Sequence, residues 1–172
     1  MTTSMTRRLL GGMLVVLLVS GVACKQSSSV QAPAQTETAP TAPTDVAALR
    51  VKANAGDADA QFNLGVWYNF GHGVPQDSAQ AVAWIRKAAD QGLVGAQFNL
   101  GNAYRDGHGV PQDYVEAHKW INLAASRASA ADQKRYAEAR DSLAKLMTPA
   151  QLAEAQKLAS AWLAAFEKRG GK

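Results

Sequence analysis

From residue 60 onward, apolar residues recur every three or four positions, the spacing that lays one stripe along an α-helix. Ala60, Leu64 and Tyr68 form one stripe, and Ala96, Leu100 and Tyr104 form another. Each is followed by a second kind of stripe, Ala81, Trp84, Ile85 and Ala88, then Ala117, Trp120, Ile121 and Ala124. Between the stripes stand Gly71-His72-Gly73-Val74-Pro75 and Gly107-His108-Gly109-Val110-Pro111. Glycine tolerates positive φ and proline has no N–H to donate, so both segments predict a break between two helices. Val74 and Val110 are placed to plug the apolar underside of these turns. Asp77 and Asp113 then open the second helices, with Gln80 and Glu116 three residues on, a capping-box-like pattern. Gly65 and Gly101 lie inside the first helices, where glycine costs about 1 kcal/mol relative to alanine. Keeping both predicts a helix crossing too close for a methyl group.

The whole pattern is doubled. Residues 60–89 and 96–125 align at an offset of 36 with 19 of 30 positions identical. Self-similarity at such a period means stacked supersecondary units, each burying the open face of its neighbour. Residues 57–92 and 93–128 are read as two full units, and 45–56 as the second helix of a leading half-unit. Residues 129–172 are read as a C-terminal capping pair of helices. The first runs from Ser129 to about Met147, with Gln133 aligned 36 positions beyond Gln97. The second opens at Thr148-Pro149-Ala150-Gln151, where Thr caps, Pro takes the first helical position and Gln the third. It carries Leu152, Ala155, Leu158, Ala159, Trp162 and Phe166 on one stripe before Gly170-Gly171. The expected fold class is all-α, with about seven helices.

The first 44 residues read differently. Arg7 and Arg8 precede a largely apolar run of 14 residues, Leu9 to Val22, shorter than the roughly 20 needed to span a bilayer. It leads into Ser20-Gly21-Val22-Ala23-Cys24, which resembles a bacterial lipobox. Residues 1–23 are therefore expected to be an export signal, with Cys24 acylated as the mature N-terminus, although Gly21 stands where lipoboxes usually carry Leu, Val or Ile. Residues 24–44 are rich in Ser, Gln, Pro, Thr and Ala and read as a disordered tether. An outer-membrane lipoprotein facing the periplasm is the expected location, since Lys25 rather than Asp follows the cysteine. Cys24 is the only cysteine, so an internal disulfide is excluded. The formal charge is +4, and loss of Arg7 and Arg8 leaves 16 basic against 14 acidic side chains, a net of +2. No basic run interleaved with aromatics occurs, so nucleic acid is not an expected partner.

The doubled pattern Ala-x-x-x-Leu-Gly-x-x-Tyr-x-x-Gly-x-Gly-Val-x-x-Asp-x-x-x-Ala-x-x-Trp-x-x-x-Ala-Ala resembles the Sel-one-like repeat (SLR), a relative of the tetratricopeptide repeat. The resemblance covers residues 45–128 closely, and Met147 to Phe166 looks like a terminal segment found in bacterial members. It implies a right-handed α-solenoid whose concave face is lined by each unit's first helix, and a non-catalytic adaptor or scaffold binding a protein or peptide. Leu93 departs from the family, which usually has a polar capping residue there, and leaves the start of its helix open. A disulfide-rich branch of the family has been associated with β-lactam binding and hydrolysis. Its cysteine pair per unit is missing here, so β-lactam or peptidoglycan-fragment binding or hydrolysis is held only as the alternative.

Candidate chemistry is sparse. There is no G-x-S-x-G, H-E-x-x-H or phosphate-cradling G-x-x-x-x-G-K-[ST]. No cofactor and no metal are expected. His72 and His108 occupy equivalent turns, about two helix diameters or roughly 20 Å apart, and are read as solvated turn residues. His118 replaces Val82 and is read as a half-buried, non-catalytic histidine. Trp84, Trp120 and Trp162 fall on core stripes, and Trp67 is also read as core.

The differences between copies mark positions that folding leaves free. In the first helices these are Val66/Asn102, Asn69/Arg105 and Phe70/Asp106, beside the unchanged pair Asn63 and Asn99. These eight are the candidate partner-binding residues. Phe70 is the expected apolar anchor, and Arg105 the expected partner of a carboxylate. The protein is expected to act as a monomer.

Overall fold

The computed structural model describes residues 42–171, and Cys24, the export signal and most of the tether lie outside that range. The described residues form seven α-helices: α1 (Ala42–Asn54), α2 (Ala58–Phe70), α3 (Ser78–Asp90), α4 (Val94–Asp106), α5 (Tyr114–Arg127), α6 (Ala130–Ala144) and α7 (Pro149–Lys168). The all-α expectation and its seven helices hold. Helices α2 and α3 pack as one pair and α4 and α5 as the next, with α1 against α2 and α3 against α4.

The ends of the helices follow local chemistry. Asp57, Asp77 and Asp113 accept bonds from backbone N–H groups of the first turns of α2, α3 and α5, which those N–H groups cannot find inside the helix. Thr148 and Gln151 form a complete capping box at α7. Glu116 does not close the corresponding box on Asp113, because its carboxylate is engaged with Lys119 and the Trp120 indole. Leu93 caps α4 without a side-chain bond and packs into the core instead, so α4 starts at Val94. Gly71 and Gly107 close α2 and α4 in the left-handed conformation, at φ 73° and 69°.

Within each pair the helices cross at the two internal glycines. A Cβ on Gly65 would lie 2.6 Å from Ile85 Cγ1 and 2.9 Å from the Ala81 carbonyl oxygen. On Gly101 it would lie 2.5 Å from Ile121 Cγ1 and 3.0 Å from the Ala117 oxygen. The two crossings are copies of one contact. Leu64 and Leu100 are completely buried beside them, and Ile85, Leu100, Trp120 and Leu123 belong to one core cluster that runs across both units. A further device joins the units: Arg50 donates to the Tyr68 hydroxyl at 2.7 Å, and Arg86, 36 positions on, donates to that of Tyr104.

Residues 129–172 form two helices, and α6 and α7 each pack on α5. The reason is where their apolar residues are. Helix α6 buries only Tyr136 and Leu143, Tyr136 stacking on Phe98 with centroids 4.1 Å apart. Helix α7 commits its stripe to α5, with Trp162 edge-on to Trp120 at 5.7 Å and stacked on Phe166 at 4.8 Å. Phe166 reaches back to Gly92 at the end of the first unit, and the Arg127 guanidinium sits 4.7 Å over its ring. Trp67, read as core, departs from that reading, since it is half-buried and belongs to none of the described apolar clusters.

Candidate functional site

A groove of about 280 Å³ opens between α2 and α4. Its floor is Ala81, Val82 and Ile85 of α3, and its walls include Val66, Asn69 and Phe70 from α2 and Asn99, Asn102 and Asp106 from α4. Six of the eight candidate positions thus converge on one concavity. They do so because the end of one first helix faces the C-terminal half of the next across the gap between units.

Each wall offers a different chemistry. Phe70 is 65% exposed, unusual for a large aromatic, and its ring lies beside that of His72, at 5.9 Å between centroids. Asn102 Oδ1 is buried without a hydrogen-bond partner among the described residues. Asp106 accepts two bonds from Arg105, Nε to Oδ1 and Nη2 to Oδ2, both at 2.8 Å. That bidentate bond holds the Asp106 carboxyl below its ordinary pKa and raises that of Arg105. Asp106 is therefore ionised at neutral pH, and its side chain remains half-exposed.

The Sel1 repeat family matches residues 58–93 and 94–129, one residue later at each edge than the units read from the sequence. Residues 58–129 are two Sel1 repeats. The structure is similar to that of a protective antigen present in uropathogenic Escherichia coli strains that displays an SLR fold. That antigen is 37% identical, with 72% of this chain and 27% of that one covered and a TM-score of 0.64. This chain therefore spans about a quarter of the antigen's length. A Sel1 repeat protein from Oxalobacter formigenes is 41% identical over 48% of this chain and 63% of its own, with a TM-score of 0.48. No curated protein matches.

The remaining candidates of the Sel1 pair fall outside the groove. Asn63 is exposed on α2, equivalent to Asn99 but without a described first helix before it to make the opposite wall. Arg105 was expected to meet a carboxylate on a partner. Its guanidinium is instead held by Asp106, the neighbouring residue, and does not line the groove.

One groove residue was missed. His108 lines it and is more than a solvated turn residue, since its Nε2 lies 2.9 Å from Ser78 Oγ and 3.1 Å from Asn69 Oδ1. The signal was present as Asn69 and Ser78 themselves, but their approach requires the units to be stacked. His118 is buried, 3% exposed, with Nδ1 unpartnered among the described residues. Burial pushes its pKa below the ordinary value, with Arg140 adding to the effect and Asp141 opposing it. Among the described residues no three His, Cys, Asp or Glu side chains converge as a metal site would require, and no helix is long and apolar enough to cross a membrane.

Proposed function

We propose that this Sel1 repeat protein is a non-catalytic scaffold of the cell envelope that binds a protein or peptide segment in the groove between α2 and α4. The observation that carries the reading is the groove itself. Most of its wall, Val66, Asn69 and Phe70 on one side and Asn102 and Asp106 on the other, stands at positions where the two copies differ, and it exposes Phe70, while the shared Gly65 and Gly101 serve the helix crossings. An exposed aromatic beside the unsatisfied amide oxygen of Asn102 suits an extended segment, whose backbone brings hydrogen-bond donors and whose side chains bring apolar surface. The Cys24 lipid anchor and the residue 24–44 tether belong to the same proposal and rest on the lipobox-like stretch and its composition. They would hold the repeats at the membrane and let them sample partners nearby.

The test is a photo-crosslinking amino acid placed at Phe70 in the full chain, in native envelopes, with the same group at the exposed Ala161 of α7 as the control. The reading expects a discrete adduct from position 70, absent from position 161, whose partner binds the purified chain more weakly after Phe70→Ala. Adducts equally abundant at both positions, or binding indifferent to Phe70→Ala, would overturn it.

A further inference from the structure

We propose that the groove selects a basic segment, taking up the ammonium or guanidinium of a lysine or arginine side chain between Phe70 and Asp106. This deepens the peptide-binding reading and rests on it. Phe70 and Asp106 occupy the same position of the repeat, 36 residues apart, and the stacking of the units brings both to the same groove. Divergence at one repeat position has thus furnished an aromatic face on one wall and a carboxylate on the other. An aromatic face attracts a cation electrostatically, and more strongly when water is excluded. The carboxylate supplies the opposite charge.

The rest of the lining agrees. No lysine or arginine lines the groove, so a carboxylate ligand would find Asp106 there and no lining cation to pair with. Asn102 Oδ1 is a buried acceptor awaiting a donor, and an ammonium or guanidinium carries only donors. Arg105 takes one bond on each Asp106 oxygen, but the carboxylate is still half-exposed and keeps lone pairs for a second cation. Arg105 then acts as a brake on the site, lowering its affinity by partly neutralising the charge that the ligand reads. Overall charge does not explain a preference for bases, since the chain is net positive and would draw acidic peptides non-specifically.

The experiment measures binding of fluorescein-labelled peptides to the full chain at physiological ionic strength, using blocked (Ala-Lys)3, blocked (Ala-Glu)3 and, as a glycan probe, labelled chitotetraose. The lysine peptide is expected to bind about tenfold more tightly than the glutamate peptide, and to lose most of that advantage in Phe70→Ala and in Asp106→Asn. Arg105→Gln, which frees Asp106, is expected to tighten the lysine peptide, an effect that loss of folding would not produce. Equal binding of both peptides, weakened alike by Phe70→Ala, would overturn the cation selectivity and leave the peptide-binding reading standing. Preference for the glutamate peptide would do the same. Binding of neither peptide, or of chitotetraose alone in a Phe70-dependent way, would overturn both.

Discussion

His108, in the turn after α4, is hydrogen-bonded across the junction between units to Asn69 at the end of α2, with Nε2 3.1 Å from Oδ1. The same nitrogen lies 2.9 Å from Ser78 Oγ. His72 has the identical place in the preceding turn, yet the residues 36 positions before Asn69 and Ser78 are Pro33 and Ala42, neither able to accept through its side chain. Identical residues therefore do different work because, among the described residues, only His108 has a complete unit before it. His108→Ala is expected to cost roughly 0.5–1.5 kcal/mol of stability, and His72→Ala close to nothing. Urea unfolding of the two variants side by side checks this, and equal midpoints would contradict the junction role.

Gly65 and Gly101 allow a sharper test, because two general rules give opposite signs. Helix propensity alone would have Gly101→Ala stabilise α4 by about 1 kcal/mol. The added methyl, however, would sit 2.5 Å from Ile121 Cγ1 and 3.0 Å from a backbone oxygen that cannot move without shifting α5. Overpacking of this kind costs about 1–3 kcal/mol, so a net loss is expected. Gly101→Ala combined with Ile121→Ala should lose less than the sum of the two single changes, since the second removes the obstructing carbon. Additive losses in thermal or urea unfolding would mean that the crossing is looser than described.

Leu64 and Leu100 lie against these crossings with no exposed surface. Leu64→Ala and Leu100→Ala should each cost about 2–5 kcal/mol, the range for a buried leucine whose cavity cannot collapse. The rigid Gly–Ile contact alongside argues for the upper half of that range. Far-UV circular dichroism during urea unfolding provides the measurement, and a loss under 1 kcal/mol would show that the core repacks freely.

Much of this was legible in the chain because a repeat prints its own control experiment. Ala60, Leu64 and Tyr68 against Ala96, Leu100 and Tyr104 identified the inward faces, and shared Gly65 and Gly101 identified the crossings. Divergent Phe70 and Asp106 pointed to the groove. What a comparison of copies cannot tell is which gap a position faces. Asn63 matches Asn99 but has no opposite wall among the described residues, and Arg105 stands at the position of Asn69 but folds onto Asp106, a neighbour that Asn69 does not have. The C-terminal helices were legible as helices, not as packing partners. Their apolar stripes do not reveal that Trp162 and Tyr136 both seek the α4–α5 pair. His108 was overlooked because its partners are 30 and 39 residues away.

His118 makes the stability of the second unit dependent on pH, and the direction follows from its burial. In the first unit the same position is Val82, a residue of the core cluster. The imidazole at 118 is 3% exposed, its Nδ1 has no partner among the described residues, and the Arg140 charge also disfavours protonation, against a smaller opposing effect from Asp141. Its pKa in the folded protein therefore lies below that of the unfolded chain, about 6.5 for histidine. Between those two values the unfolded chain binds a proton that the folded one refuses, so stability rises with pH in that window. On acidification it falls from about pH 6.5 downward, and this contribution levels off only below the folded pKa. His118→Val, copying the first unit, should leave helicity unchanged and flatten the dependence of the urea midpoint on pH between about 7 and 5. A His118→Val profile as steep as that of the unmodified protein would assign the acid sensitivity to the carboxylates instead.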